Sequence, residues 1–126
     1  MYLTNGAFST DCLWPIIPTF KAPAALPIKN FNFSLTNNQT KVIKEIDDDL
    51  KSDFKMFRLL QGDVGSGKTI VSLIAASNVI ESNFQTAFMA PTEILAEQHY
   101  NLAKVIFKGT NIKIGFLTGK TKDSDK

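Results

Sequence analysis

The chain has 126 residues, 44% of them hydrophobic and 21% charged, with 14 basic and 12 acidic side chains leaving a net charge of +2. That length suits one small domain of ordinary soluble composition, and the charge is too small to argue nucleic-acid binding by itself. Cys12 is the only cysteine, which excludes an internal disulfide and points to a cytoplasmic setting; no apolar stretch approaches the ~20 residues that cross a bilayer, so no membrane partner is expected.

Residues 1–34 stand apart. Pro15, Pro18, Pro23 and Pro27 each bias the preceding residue away from helix. The first basic residue is Lys21, and prolines interrupt the apolar patch Leu13, Trp14, Ile16 and Ile17, so no signal peptide is expected. The segment reads as an irregular lead-in without helical or strand period. Order is expected from Leu35 onward, with residues 35–126 forming one unit.

Thr36 is a suitable N-cap, and Gln39 sits where a capping box places Glu or Gln. The helix that follows puts Val42, Ile43, Ile46 and Leu50 on one stripe, with Asp47, Asp48 and Asp49 on its solvated side. Residues 52–55 turn the chain into Phe57-Arg58-Leu59-Leu60-Gln61, a short apolar run of the kind expected for a buried parallel strand. A helix over roughly 70–80 is apolar on most of its surface and is expected to be sandwiched. Residues 85–90 predict a second strand, closed by Pro91. Thr92 then caps a helix to about Phe107, and residues 112–117 predict a third strand. The tail from Gly119 is polar.

Strands alternating with helices predict an α/β fold with a parallel sheet and flanking helices. Three strands are few for that class. The sheet is therefore expected to be truncated, with uncovered edges and with apolar faces such as that of the 70–80 helix left open.

The densest chemistry lies at Gly62-Asp63-Val64-Gly65-Ser66-Gly67-Lys68-Thr69, a G-x-x-x-x-G-K-T phosphate-binding loop. With average residue usage such a pattern arises by chance in roughly 0.5% of chains this long, so an incidental glycine turn is the weaker explanation. The glycines let successive N–H groups converge on a phosphate, and Lys68 brings a positive charge to the β- and γ-phosphates. The Thr69 hydroxyl can ligate Mg²⁺, and the following helix adds its positive end. Lys68 and Thr69 are thus the candidate catalytic residues. Asp63, Val64 and Ser66 complete the loop, and the expected cofactors are a nucleotide and Mg²⁺.

Turnover needs more than this loop. After Thr69 no apolar strand ends in an acid; Asp123 and Asp125 lie in the polar tail, and Arg58, the only arginine, precedes the loop. A GTPase would carry N/T-K-x-D, but Thr121-Lys122-Asp123-Ser124 has Ser at the last position. A small-molecule kinase would need acceptor-side basic residues, and no such cluster is visible. A stand-alone nucleotide-binding or interaction module stays open beside a motor segment.

Several stretches together resemble one family. Leu59 to Thr69 looks like the Walker A motif of RecG-type ATP-dependent DNA helicases of superfamily 2. Ala90-Pro91-Thr92-Glu93-Ile94-Leu95-Ala96-Glu97-Gln98-His99 resembles the next motif, Leu117-Thr118-Gly119-Lys120 the short signature after it, and Leu35-Thr36-Asn37-Asn38-Gln39 the upstream glutamine motif. The resemblance spans about residues 26–126. Transcription-repair and replication-restart translocases share parts of these motifs and remain the alternative.

The resemblance implies an incomplete RecA-like ATP-binding lobe, part of a motor that hydrolyses ATP and remodels branched DNA in recombination and repair. The rest of the motor would lie in cis or on a separate chain. It assigns phosphate and Mg²⁺ contacts to Gly62, Gly65, Gly67, Lys68 and Thr69, and DNA-backbone contacts to Pro91, Thr92 and Glu93. It favours Gln39 as the reader of the adenine edge over Gln39 as a simple cap, and it brings Phe33 near the adenine, where an ordinary core Phe is an equal reading. His99 reads as an ordinary helix residue, since no second His exists to build a metal site.

Overall fold

The computed structural model describes residues 1–4 and 34–119. The expectations for Cys12, the proline-rich stretch, Phe33 and residues 120–126 fall outside the described residues. In chain order the elements are β1 (Tyr2–Thr4), α1 (Asn37–Leu50), α2 (Lys68–Glu81), β2 (Thr86–Ala87), α3 (Glu93–Ile106) and β3 (Lys113–Gly115). The fold is α/β.

Each helix begins where local chemistry can satisfy its free amides. The Thr36 hydroxyl accepts the Gln39 N–H, and the Gln39 side chain accepts the Thr36 N–H, completing a capping box at α1. The Thr92 hydroxyl accepts the Leu95 N–H at the start of α3, where Glu93 also faces the positive helix end; Lys104 sits in the last turn. Ser82 is the C-cap of α2, and Asn83 takes a left-handed conformation with φ of 65°.

The sheet order is β2-β1-β3, and β1 runs antiparallel to both neighbours, with Leu3 opposite Thr86 and Ile114. Beyond the paired residues, the Met1 ammonium donates to the Phe88 carbonyl and the Met1 carbonyl accepts the Phe88 N–H. Three expectations are corrected here. Residues 2–4, read as part of an irregular lead-in, form the central strand. Both observed pairings are antiparallel, and no parallel pairing is present among the described residues. Finally, Phe57–Gln61 is not a strand: Phe57 is 93% exposed and Leu59 81%. A strand exists only by pairing, and among the described residues the backbone of 57–61 makes no backbone hydrogen bond.

The core gathers Leu3, Leu73, Ala76, Ile80, Ala103, Ile106 and Phe107 from β1, α2 and the end of α3. Val71, Ile74, Ser77 and Asn78 are buried as well, so α2 is enclosed on most sides as its composition predicted, and the expectation of an uncovered α2 face does not hold. α1 packs on α2. At that contact Asp47, expected on the solvated side, is buried and accepts a 2.6 Å hydrogen bond from Asn78 Nδ2. A buried carboxylate needs such a partner, and the rotation of α1 brings Asp47 rather than Asp48 to it.

Candidate phosphate-binding site and facing cleft

The loop between residue 61 and α2 is built around one ammonium. Lys68 Nζ donates to the carbonyls of Gly62 at 2.8 Å and Asp63 at 2.7 Å, and lies 3.4 Å from Ser66 Oγ. The Ser66 N–H closes a turn onto the Asp63 carbonyl at 3.2 Å. The lysine charge therefore sits within the concavity of its own loop, directly before the first turn of a 14-residue helix. Three oxygens around one cation form a donor and acceptor set that a phosphate oxygen can enter by exchange.

Two glycines make this shape possible. Gly65 has φ of 83° and Gly67 φ of 81°, both in the left-handed region that disfavours a Cβ. Gly67 is also the N-cap of α2, with no side chain capping the helix, so its free amides face the loop. A Cβ on Gly67 would collide with Gln39 Nε2. Thr69, the second residue of α2, is half-buried at the loop's exit, and Val64 is fully exposed at its tip.

Gln39 is joined to this loop. While Oε1 accepts the Thr36 N–H at 2.9 Å, Nε2 donates to the Ser66 carbonyl at 2.9 Å. The cap is formed, and the same amide tethers α1 to the phosphate loop across 27 residues of sequence. Arg58 supplies a second tether: Nε and Nη2 both reach Asp49 Oδ2 at 2.7 Å, and Nη1 reaches Glu45 at 2.9 Å. The hydrogen bond to Asp49 is the largest cause of an upward shift of the guanidinium pKa.

The other candidate residues lie apart, at a cleft of about 240 Å³. One lip is Ala90, Pro91, Thr92 and Glu93 at the entry to α3; the other is Leu117, Thr118 and Gly119 after β3. Two stretches separated by more than twenty residues in sequence are thus brought face to face. The sequence carries the second as a Leu-Thr-Gly run, but nothing local ties it to Pro91; β2 and β3 running in one direction do so. His99 packs edge-on against Phe88 with ring centroids 5.2 Å apart, a packing role. Among the described residues no cluster of His, Cys, Asp and Glu is arranged to hold a metal ion, and no helix is long and apolar enough to cross a membrane.

The family model for DEAD/DEAH box helicases matches residues 36–126, well over half of the chain. The chain belongs to that family. Among curated proteins it is 50% identical over 94 residues to the ATP-dependent DNA helicase RecG of Haemophilus influenzae, a match covering 75% of this chain and 14% of that protein. To the RecG of Aquifex aeolicus it is 48% identical, covering 79% and 12%, and to that of Thermotoga maritima 50%, covering 79% and 13%. The chain spans about one eighth of the length of these relatives. No solved structure matches it.

Proposed function

We propose that this chain is the ATP-binding segment of a RecG-type ATP-dependent DNA helicase motor acting on branched DNA. Residues 35–126 would form an incomplete RecA-like lobe whose sheet gains parallel neighbours within the whole motor. The observation that carries the reading is Lys68 Nζ gathered among the Gly62, Asp63 and Ser66 oxygens at the head of α2.

In this reading the loop from Gly62 to Gly67, with Lys68, holds the nucleotide phosphates by backbone N–H groups and one ammonium. Thr69 contributes its hydroxyl to Mg²⁺, which when bound supplies charge neutralisation at the phosphates. Gln39 turns from the Ser66 carbonyl toward the adenine edge, where an amide can donate and accept together. Pro91, Thr92 and Glu93 approach a DNA phosphate, with the start of α3 presenting its amides.

Within these 126 residues nothing after Thr69 offers a carboxylate at the end of an apolar strand, and no arginine follows the loop. Loss of an arginine finger alone costs about 10³–10⁵ in rate. The chain alone is therefore expected to bind ATP without turning it over. A phosphate-release assay with and without forked DNA should stay at the uncatalysed background. DNA-stimulated release that vanishes in Lys68→Ala would overturn this.

A further inference from the structure

Arg58 is the only arginine in the chain, and Leu59, Leu60 and Gln61 alone separate it from Gly62. Its guanidinium gives Nε and Nη2 to Asp49 Oδ2, both at 2.7 Å, and Nη1 to Glu45 Oε2 at 2.9 Å. Glu45 and Asp49 stand one turn apart on the same face of α1. A planar fork can serve both carboxylates at once, which an ammonium cannot do with the same geometry. A lone exposed ion pair holds little, but a fork across two carboxylates is the arrangement in which such pairs count.

Midway between those acids, Asp47 turns to the other side of α1 and accepts the Asn78 hydrogen bond at 2.6 Å, which fixes α1 to α2. At the start of α1, Gln39 donates to the Ser66 carbonyl at 2.9 Å. The phosphate loop thus lies in a closed ring of contacts: α1 holds its approach through Arg58, its far limb through Gln39, and the helix after it through Asp47. On the reading proposed above, Gln39 leaves Ser66 for adenine when nucleotide enters. That contact between α1 and the loop is then given up, and the Arg58 fork still holds α1 to the loop's entry. We propose that Arg58 is a positioning residue for adenine nucleotides. Clamped to Asp49 and Glu45, it fixes the span between Gln39 and the phosphate loop, so that base and phosphates are engaged together. This role rests on the nucleotide reading. It makes the clamp matter for ATP, which is held at both ends, and not for the phosphates by themselves.

Calorimetric titration of the whole chain with Mg²⁺-ATP and with Mg²⁺-tripolyphosphate separates the two. Arg58→Gln should lower the ratio of ATP to tripolyphosphate affinity about fivefold or more, with tripolyphosphate binding little changed. Asp49→Ala should lower the ratio in the same direction. These substitutions move the net charge in opposite directions, and a long-range charge effect acts on both anions, so it leaves the ratio alone. The double variant should lose no more than Arg58→Gln by itself, as expected of residues acting as one unit. Retained tripolyphosphate binding also reports an intact loop in each variant. An unchanged ratio, or opposite shifts in the two variants, overturns the proposal. So does an equal loss of both ligands, which would make the clamp a structural tie only. A wild type that binds tripolyphosphate while its ratio ignores Arg58 leaves the phosphate loop standing; a wild type that binds neither ligand refutes the nucleotide reading and the clamp with it.

Discussion

Gln39 serves two backbones through one amide, accepting from Thr36 and donating to Ser66. On the proposed reading, these two bonds and adenine recognition compete for the same atoms. Gln39→Ala should remove a preference for adenine over guanine nucleotides while leaving most phosphate affinity, read by competition of ATP and GTP for a fluorescent nucleotide. If the variant melts earlier yet keeps its selectivity, the residue is a cap only. Asp47 and Asn78 form a second pair at this scale. Asn78→Ala leaves the buried Asp47 carboxylate without its 2.6 Å donor, at a cost of about 1–3 kcal/mol, measurable as a lower denaturation midpoint with unchanged slope. The capping box was legible in the sequence because it joins residues three apart. The burial of Asp47 was not. Three consecutive aspartates are alike until α2 selects the one facing Asn78.

Helices were read more faithfully than strands, for a physical reason. A helix satisfies its backbone internally, so caps and periodicity mark it locally. Hence Thr36 and Thr92 announced α1 and α3, and the apolar run from Ile70 announced α2. A strand needs a partner chosen by the fold. Phe57–Gln61 has strand composition but no backbone hydrogen bond among the described residues, while Tyr2–Thr4 lies in an unpromising stretch and sits in mid-sheet. What seats it is Leu3, fully buried in the cluster with Leu73 and Ile80. Leu3→Ala should cost about 2–5 kcal/mol if that cavity cannot close. A chemical denaturation midpoint unchanged by the substitution would show that β1 adds little.

At the scale of the whole molecule, two regions stand out: a phosphate loop tethered to α1 by Gln39 and Arg58, and a cleft between the ends of β2 and β3. The loop itself could be singled out in the sequence, because it is one continuous stretch; its tethers to α1 could not, because they join residues far apart in the chain. Nor could the cleft, because its lips come from separate strands. Both regions lie within the residues that the DEAD/DEAH box helicase model matches, and the chain spans about one eighth of the length of the RecG relatives. Central to the proposed function is that the loop from Gly62 to Thr69 binds nucleotide phosphates. Calorimetric titration of Mg²⁺-ATP into the wild type and Lys68→Ala tests this directly. The wild type is expected to bind, and the variant, lacking the ammonium held by Gly62 and Asp63, to lose binding or fall at least tenfold in affinity; equal affinity of the two proteins would contradict the account.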